Sequence, residues 1–248
     1  MEFLGLRNKK ILVTGASSGI GKETCQLLSS IGADIYVTGR NTEILEELRD
    51  NCENVKQVIS ADLTDEVAIE SLVDSVPMLD GVVNCAGIIF PFPVKFIAEK
   101  HISNVFRINF DAQVILNSML FRKKKIQKSA SIVFVSSVSS QFPYEGGALY
   151  TSSKAAIEAY SRAIALENAK HSIRSNVVSP GLVKTKIFDK TMEASSKEEL
   201  ENYEKNYPLG YGAPIDVANS IVFLLSDRSR WITGQNIILD GGLTLGSK

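Results

Sequence analysis

The chain has 248 residues, 44% of them apolar, with a formal net charge of −1. This composition supports a sizeable core and excludes a disordered chain, and the balanced charge gives no general attraction for nucleic acid or acidic lipid. The cysteines Cys25, Cys52 and Cys85 are widely spaced, and the histidines are only His101 and His171. That pattern excludes a disulfide framework and a Cys/His metal site.

No apolar run approaches the ~18 residues that would span a membrane. The opening residues pass from Met1 into an apolar Ile11-Leu-Val13 without the ordered regions of a signal peptide. A cytoplasmic protein with no membrane association is the expectation. The length suits one large α/β domain, residues 1–248. Residues 184–207 are polar and charged and read as an insertion in that domain, a loop over the substrate.

Lys10 to Thr14 is a short apolar run with a glycine turn behind it, and predicts a buried strand. Thr14-Gly-Ala-Ser-Ser-Gly-Ile-Gly21 follows, and then a helical pattern. Strand, glycine turn and helix aim backbone N–H groups and a helix dipole at a phosphate. The glycines, at 15, 19 and 21, let the chain approach a pyrophosphate closely. Asp34 to Thr38 predicts a second strand, closed by Gly39 and Arg40. A carboxylate at this place selects NAD through the ribose hydroxyls; an arginine accommodates the 2′-phosphate of NADP. Arg40 therefore points to NADP in preference to NAD.

Thr42 to Arg49 predicts a helix capped by Thr42, and Val55 to Ser60 a third strand. Asp62 behind it is placed either to meet an adenine edge or to cap the helix from Asp65 to Ser75. Leu79 to Val83 predicts a fourth strand, closed by Asn84-Cys-Ala-Gly87. His101 to Lys125 reads as one long helix, with Asn109, a poor helix former, in its middle. Ser131 to Val135 predicts a fifth strand ending in Ser136 and Ser137; Ile173 to Ser179 a sixth, followed by Pro180-Gly181 and Thr185. Asp216 to Leu225 predicts a helix, and Gly234 to Asp240 a last strand. Strands alternating with helices imply a parallel sheet with right-handed crossovers, whose ligands bind beyond the carboxyl ends of the strands.

The run Leu149 to Tyr160 lacks Gly and Pro and predicts a helix. Tyr150 and Lys154, four apart, then share a face. A free phenol titrates near ~10, and a fixed positive charge lowers that value. The pair is thus a candidate general acid/base.

Taken together and in this order, Thr14-Gly-x3-Gly-x-Gly21, Asn84-Cys-Ala-Gly87, Asn109, Ser137, Tyr150-x3-Lys154 and Pro180-Gly181 with Thr185 resemble the short-chain dehydrogenase/reductase family over nearly the whole chain. The resemblance implies an α/β fold, a single doubly wound Rossmann-type domain with a seven-stranded parallel sheet flanked by helices. It also implies a homotetramer. Tyr150 would exchange a proton with the substrate oxygen, Lys154 would lower its pKa and hold the nicotinamide ribose, Ser137 would hydrogen-bond the carbonyl or alcohol, and Asn109 would position a water behind Lys154. Gly15, Ser17, Ser18, Gly19, Ile20 and Gly21 would surround the phosphate end, Asp62 and Leu63 the adenine, and Asn84, Ala86 and Gly87 the ribose side. Pro180, Gly181, Val183 and Thr185 would meet the nicotinamide end. Cys85 stands where the family more often has a second Asn.

Pro208-Leu-Gly, Asp216-Val-Ala-Asn and Ile232-Thr-Gly-Gln most resemble 3-oxoacyl-acyl-carrier-protein reductases, a text shared with sugar, polyol and steroid reductases. The implied activity is NADP-dependent interconversion of a ketone and a secondary alcohol. The substrate is then a 3-oxoacyl thioester, or a sugar, polyol or other small ketone. An idle NADP-binding regulator on this fold is the contrasting reading; the intact Ser137, Tyr150 and Lys154 argue against it. An acyl carrier protein is acidic, and Lys123 to Lys125, Lys128, Lys170 and His171 are the candidates for a basic rim. Residues 90–96, 141–147 and 188–207 are expected to shape the substrate pocket, with Phe188, Met192, Tyr203 and Tyr207 forming an apolar lid.

Overall fold

In the computed structural model, which describes residues 4–185 and 202–246, strands and helices alternate as expected. The strands are β1 (Lys10–Thr14), β2 (Asp34–Gly39), β3 (Val55–Ser60), β4 (Leu79–Asn84), β5 (Ile126–Val135), β6 (Arg174–Pro180) and β7 (Asn236–Leu239). They form one sheet in the order β3-β2-β1-β4-β5-β6-β7, with every pair parallel. The helices that flank it are α1 (Gly19–Ser30), α2 (Thr42–Asp50), α3 (Glu66–Ser75), α4 (Glu99–Phe106), α5 (Ala112–Arg122), α6 (Ala148–Asn168) and α7 (Pro214–Leu225). One apolar layer packs α1, α2 and α7 on a face of the sheet through Leu28, Leu45, Leu48 and Ile221. The other packs α3, α5 and α6 through Leu72, Leu116, Leu120 and Ile157. β1 pairs with β2 on one side and with β4 on the other, so the chain reverses its winding direction there. A crevice opens at such a switch point, beyond the carboxyl ends of the strands.

Two local expectations are corrected. Thr42 is not the cap of α2: the Asn41 side chain accepts the Ile44 N–H at 3.1 Å, one residue earlier. The helix expected from His101 to Lys125 is broken by a π-helical turn at Arg107–Asp111 and ends at Arg122. A π turn carries one extra residue within a helix and often marks a functional position. Here it carries Asn109, whose amide is wholly buried and must find partners outside the helix.

Candidate functional site

A cleft of about 790 Å³ lies along the carboxyl edge of the sheet. Residues that follow each of the first six strands line it, and Leu243 comes from beyond β7. Gly15, Ser17, Ser18, Gly19 and Ile20 form one wall. Gly15 has φ of +66°, and a Cβ there would stand 2.9 Å from the Ala86 nitrogen. Gly21 stands behind the wall, where a Cβ would overlap the Gly15 carbonyl. Ser18 caps α1 without a side-chain bond to it, and the first turn of the helix holds no acidic residue. The N–H groups of that turn therefore keep their capacity for an anion. A close-packed glycine cradle with free donors is what a dinucleotide pyrophosphate requires, so these residues fit that group.

Arg40 is exposed at the far end of the cleft, beside Asp62, Leu63 and Thr64. Asp62 does not cap α3; Asp65 does, accepting the Val67 N–H at 2.9 Å. The Asp62 carboxylate instead accepts the Thr64 N–H at 2.9 Å and the Thr64 hydroxyl at 2.8 Å, and these bonds hold its pKa below the usual range. Arg107, from the π turn, fixes the same turn with Nε and Nη2 on the Thr64 carbonyl, at 3.1 and 2.7 Å.

Ser137, Tyr150 and Lys154 meet in the middle of the cleft. Ser137 caps a short 3₁₀ turn, Val138–Ser140, with its Oγ accepting the Ser139 N–H at 3.2 Å, and its hydroxyl lies near enough to the Tyr150 phenol to draw the phenol's pKa down. Lys154 is buried; its Nζ donates to the Val135 carbonyl at 2.9 Å and lies 5.6 Å from the centre of the Tyr150 ring. A Cβ on Gly87 would come within 3.3 Å of both Lys154 Nζ and Asn109 Oδ1, so the two residues converge there. The Asn109 amide is committed: Oδ1 accepts the Ile88 N–H at 2.8 Å, while Nδ2 donates to the Ile88 carbonyl at 2.9 Å and to Ser153 Oγ at 3.1 Å. It pairs with Ile88 as a neighbouring strand would, and pins the chain after Gly87.

The electrostatics correct the expected direction at Tyr150. Burial pushes its phenol up to about 12, further than the nearby Ser137 hydroxyl draws it down. Burial also pushes the Lys154 ammonium down to about 8. A cation that is itself poorly solvated and bonded to a carbonyl does not offset the desolvation of the phenolate. Cys85, in the same wall, is held up at about 11 by burial, so it stays a protonated thiol.

Ala86, Gly87, Leu63, Pro180, Gly181, Val183 and Thr185 all line the cleft. Gly19 and Thr185 meet: a Cβ on the glycine would lie 3.1 Å from Thr185 Cγ2. Asn84 does not reach the cleft. It is fully buried beneath it, accepting a bond from Asn117 Nδ2 at 2.9 Å. The sequence reading missed this supporting layer. Thr14 Oγ1 accepts from the Cys85 and Ala86 N–H groups at 3.0 and 3.2 Å, and Gln113 Nε2 donates to the Ala86 carbonyl at 3.0 Å. A signal was present: Gln113 and Asn117 are polar residues four apart on a largely apolar helix. Also unforeseen is the buried Glu158, one turn beyond Lys154, which accepts from Ser136 Oγ at 2.8 Å and Ser179 Oγ at 3.3 Å and ties α6 to β5 and β6.

The rest of the cleft is largely apolar and aromatic, with Ile88, Ile89, Phe142, Tyr144, Leu182 and Tyr207 among its residues. Phe188 and Met192 lie outside the described residues. The lysines expected to form a basic rim stand elsewhere. Lys123 to Lys125 and Lys128 precede or open β5, and Lys170 and His171 precede β6, at the amino edge of the sheet opposite the cleft. Lys123 bridges Glu70 and Asp74 at 2.8 and 2.7 Å, and Lys125 donates to the Val76 carbonyl at 2.6 Å. Two of the candidates thus tie α3 to the end of α5. Among the described residues there is no group of metal-ligating side chains, and no helix is long and apolar enough to cross a membrane.

The family model described as enoyl-(acyl carrier protein) reductase matches residues 15–244. The 3-oxoacyl-[acyl-carrier-protein] reductase FabG of Rickettsia felis is 32% identical over 244 residues, which cover 98% of this chain and all of that one. The L-xylulose reductase of Homo sapiens is 34% identical over 242 residues, covering 96% and 98% of the two chains. A short-chain type dehydrogenase/reductase from Mycobacterium marinum superposes with a TM-score of 0.89 at 26% identity, covering 99% of each chain.

Proposed function

The chain belongs to the short-chain dehydrogenase/reductase family, and within it we propose an NADPH-dependent reductase that converts a ketone to a secondary alcohol. The observation that carries the reading is the Ser137–Tyr150–Lys154 group, set midway between the phosphate cradle and an apolar half-cleft. When bound, NADPH supplies the hydride that reduces the carbonyl carbon. Ser137 and Tyr150 hold the carbonyl oxygen with their hydroxyls, and Tyr150 gives that oxygen its proton. Lys154, while charged, stabilises the phenolate left behind. Asn109 acts through the Ile88 and Gly87 backbone that it pins. Gly15, Ser17, Ser18, Gly19 and Ile20 form the pyrophosphate cradle, with Gly21 packed behind it; Asp62 and Leu63 flank adenine; Ala86, Gly87, Pro180, Gly181, Val183 and Thr185 take the nicotinamide nucleoside.

Arg40 carries the NADP preference. Titrating the protein with NADPH and with NADH tests it. Arg40→Ala is expected to weaken NADPH binding about 10- to 100-fold, the worth of one or two charge-assisted bonds, and to leave NADH binding within about twofold, below the worth of a single hydrogen bond. Equal weakening of both would remove the phosphate role.

The substrate favoured is a 3-oxoacyl thioester. The apolar half-cleft suits an acyl chain, and the Rickettsia felis relative is named for that reaction. Reduction of a sugar or polyol ketone is the second reading, favoured by the L-xylulose reductase relative. We place the protein in the cytoplasm as a homotetramer, and treat the acyl carrier protein as a partner that the Lys123 to Lys125 patch of the same chain does not dock beside its cleft.

The pKa directions give a pH dependence. Tyr150, held near 12, stays protonated and able to donate at neutral pH. Lys154, held near 8, is charged below that value and neutral above it. Loss of the charge removes what stabilises the phenolate, so kcat/KM for reduction is expected to fall as pH rises through about 8. A profile flat across that value would contradict a charged Lys154 as the stabilising group. In Lys154→Arg the limb should move out of range, since Arg keeps its charge.

A further inference from the structure

We infer that Tyr144 is a specificity-determining residue, whose hydroxyl binds the thioester carbonyl of a 3-oxoacyl substrate while Tyr150 and Ser137 hold the ketone; this rests on the reading above. Besides Tyr150, the cleft is lined by three tyrosines, Tyr144, Tyr203 and Tyr207, among the described residues. Two are already committed. Tyr207 is buried and its hydroxyl accepts the Leu182 N–H at 3.2 Å, and the Tyr203 ring packs edge-on against the Tyr207 ring, with centroids 6.0 Å apart. Ser139 also lines the cleft, but its hydroxyl is covered and cannot reach a ligand. The Tyr144 hydroxyl has no hydrogen-bond partner among the described residues and is part of the open wall.

Its ring is nonetheless fixed. The Tyr144 carbonyl accepts the Gly147 N–H at 3.0 Å, and the ring lies on Gly147 so closely that a Cβ there would come within 2.7 Å of it. Gly147 caps α6, which carries Tyr150 in its first turn, so Tyr144 is held close to the acid. It is near enough for its phenolate to raise the Tyr150 pKa. The surrounding wall is apolar, and Glu145 is the one carboxylate beside it in the cleft. A fixed neutral donor next to a carboxylate suits an uncharged acceptor oxygen better than a carboxylate or phosphate on the substrate. A 3-oxoacyl thioester presents such an oxygen next to its ketone.

The test is a substrate pair: a 3-oxoacyl N-acetylcysteamine thioester, and the ketone of equal chain length without the thioester carbonyl, each reduced by wild type and by Tyr144→Phe with saturating NADPH. The ratio of kcat/KM for thioester over ketone is expected to fall about tenfold in the variant, the worth of one hydrogen bond in a site built for it, with most of the change in KM. A ratio that does not move overturns the assignment to Tyr144 and leaves ketone reduction standing. If the wild type reduces neither substrate while binding NADPH, the 3-oxoacyl reading fails and takes this inference with it.

Discussion

Tyr150→Phe is expected to lower kcat for ketone reduction by about three orders of magnitude while the NADPH dissociation constant stays within about twofold; general acid catalysis contributes roughly 10²- to 10⁴-fold. The expected size follows from the surroundings of the phenol. Ser137 and Tyr150 lie close together in the cleft, and removing the phenol hydroxyl leaves the Ser137 hydroxyl without the acid beside it. Lys154 cannot replace it as the acid, because its Nζ is bonded to the Val135 carbonyl and packed beneath the ring. Cofactor affinity should survive, since the cradle from Gly15 to Ile20 and the Arg40 end of the cleft do not depend on the phenol hydroxyl. Steady-state NADPH oxidation and a binding titration on the same preparation decide the matter. Full activity in the variant would dismiss Tyr150 as the acid, and a parallel loss of NADPH binding would make its role structural.

Gly21→Val is expected to weaken NADPH binding by at least about a hundredfold, the worth of two or more charge-assisted bonds to the pyrophosphate. Any Cβ at this position would overlap the Gly15 carbonyl, and it would also sit within 3.3 Å of the Ala16 Cα. These are backbone atoms and cannot swing aside as a side chain does. Gly15 itself has a positive φ and stands close to the Ala86 nitrogen, so a displaced turn has nowhere to settle without disturbing the neighbouring loop after β4. Gly21 is not part of the cleft wall, so the loss would come from geometry alone and not from a removed contact. A thermal melt without cofactor guards against global unfolding. Unchanged NADPH affinity in a folded Gly21→Val variant would show that the turn is not the pyrophosphate cradle.

The site was legible wherever its chemistry is local. The glycine turn, the Tyr150/Lys154 spacing and Arg40 behind the second strand could be read from short windows, because a turn or a helix face is decided by residues close in sequence. Thr14, Gln113 and Glu158 were not, because their role is to bond backbone or side chains of distant segments, as Thr14 does with Cys85 and Ala86. Asn109 lay between these cases. Its poor helix propensity was visible, but not the π turn that carries it or its bonds to Ile88.

By itself the sequence determined the alternation of apolar strands and amphipathic helices, and with it a parallel sheet with a cleft along one edge. That follows from periodicity and turn chemistry, which act over a few residues. Only the tertiary structure decided where distant pieces fall relative to that edge. It placed Lys123 to Lys125 at the opposite end of the sheet, since their position depends on the direction of β5, and it turned Asn84 under the cleft rather than into it. It also reversed the expected direction of the Tyr150 pKa. Neighbouring charge could be guessed from the spacing to Lys154, but desolvation is a sum over everything packed around the phenol, and that sum exists only once the chain has folded.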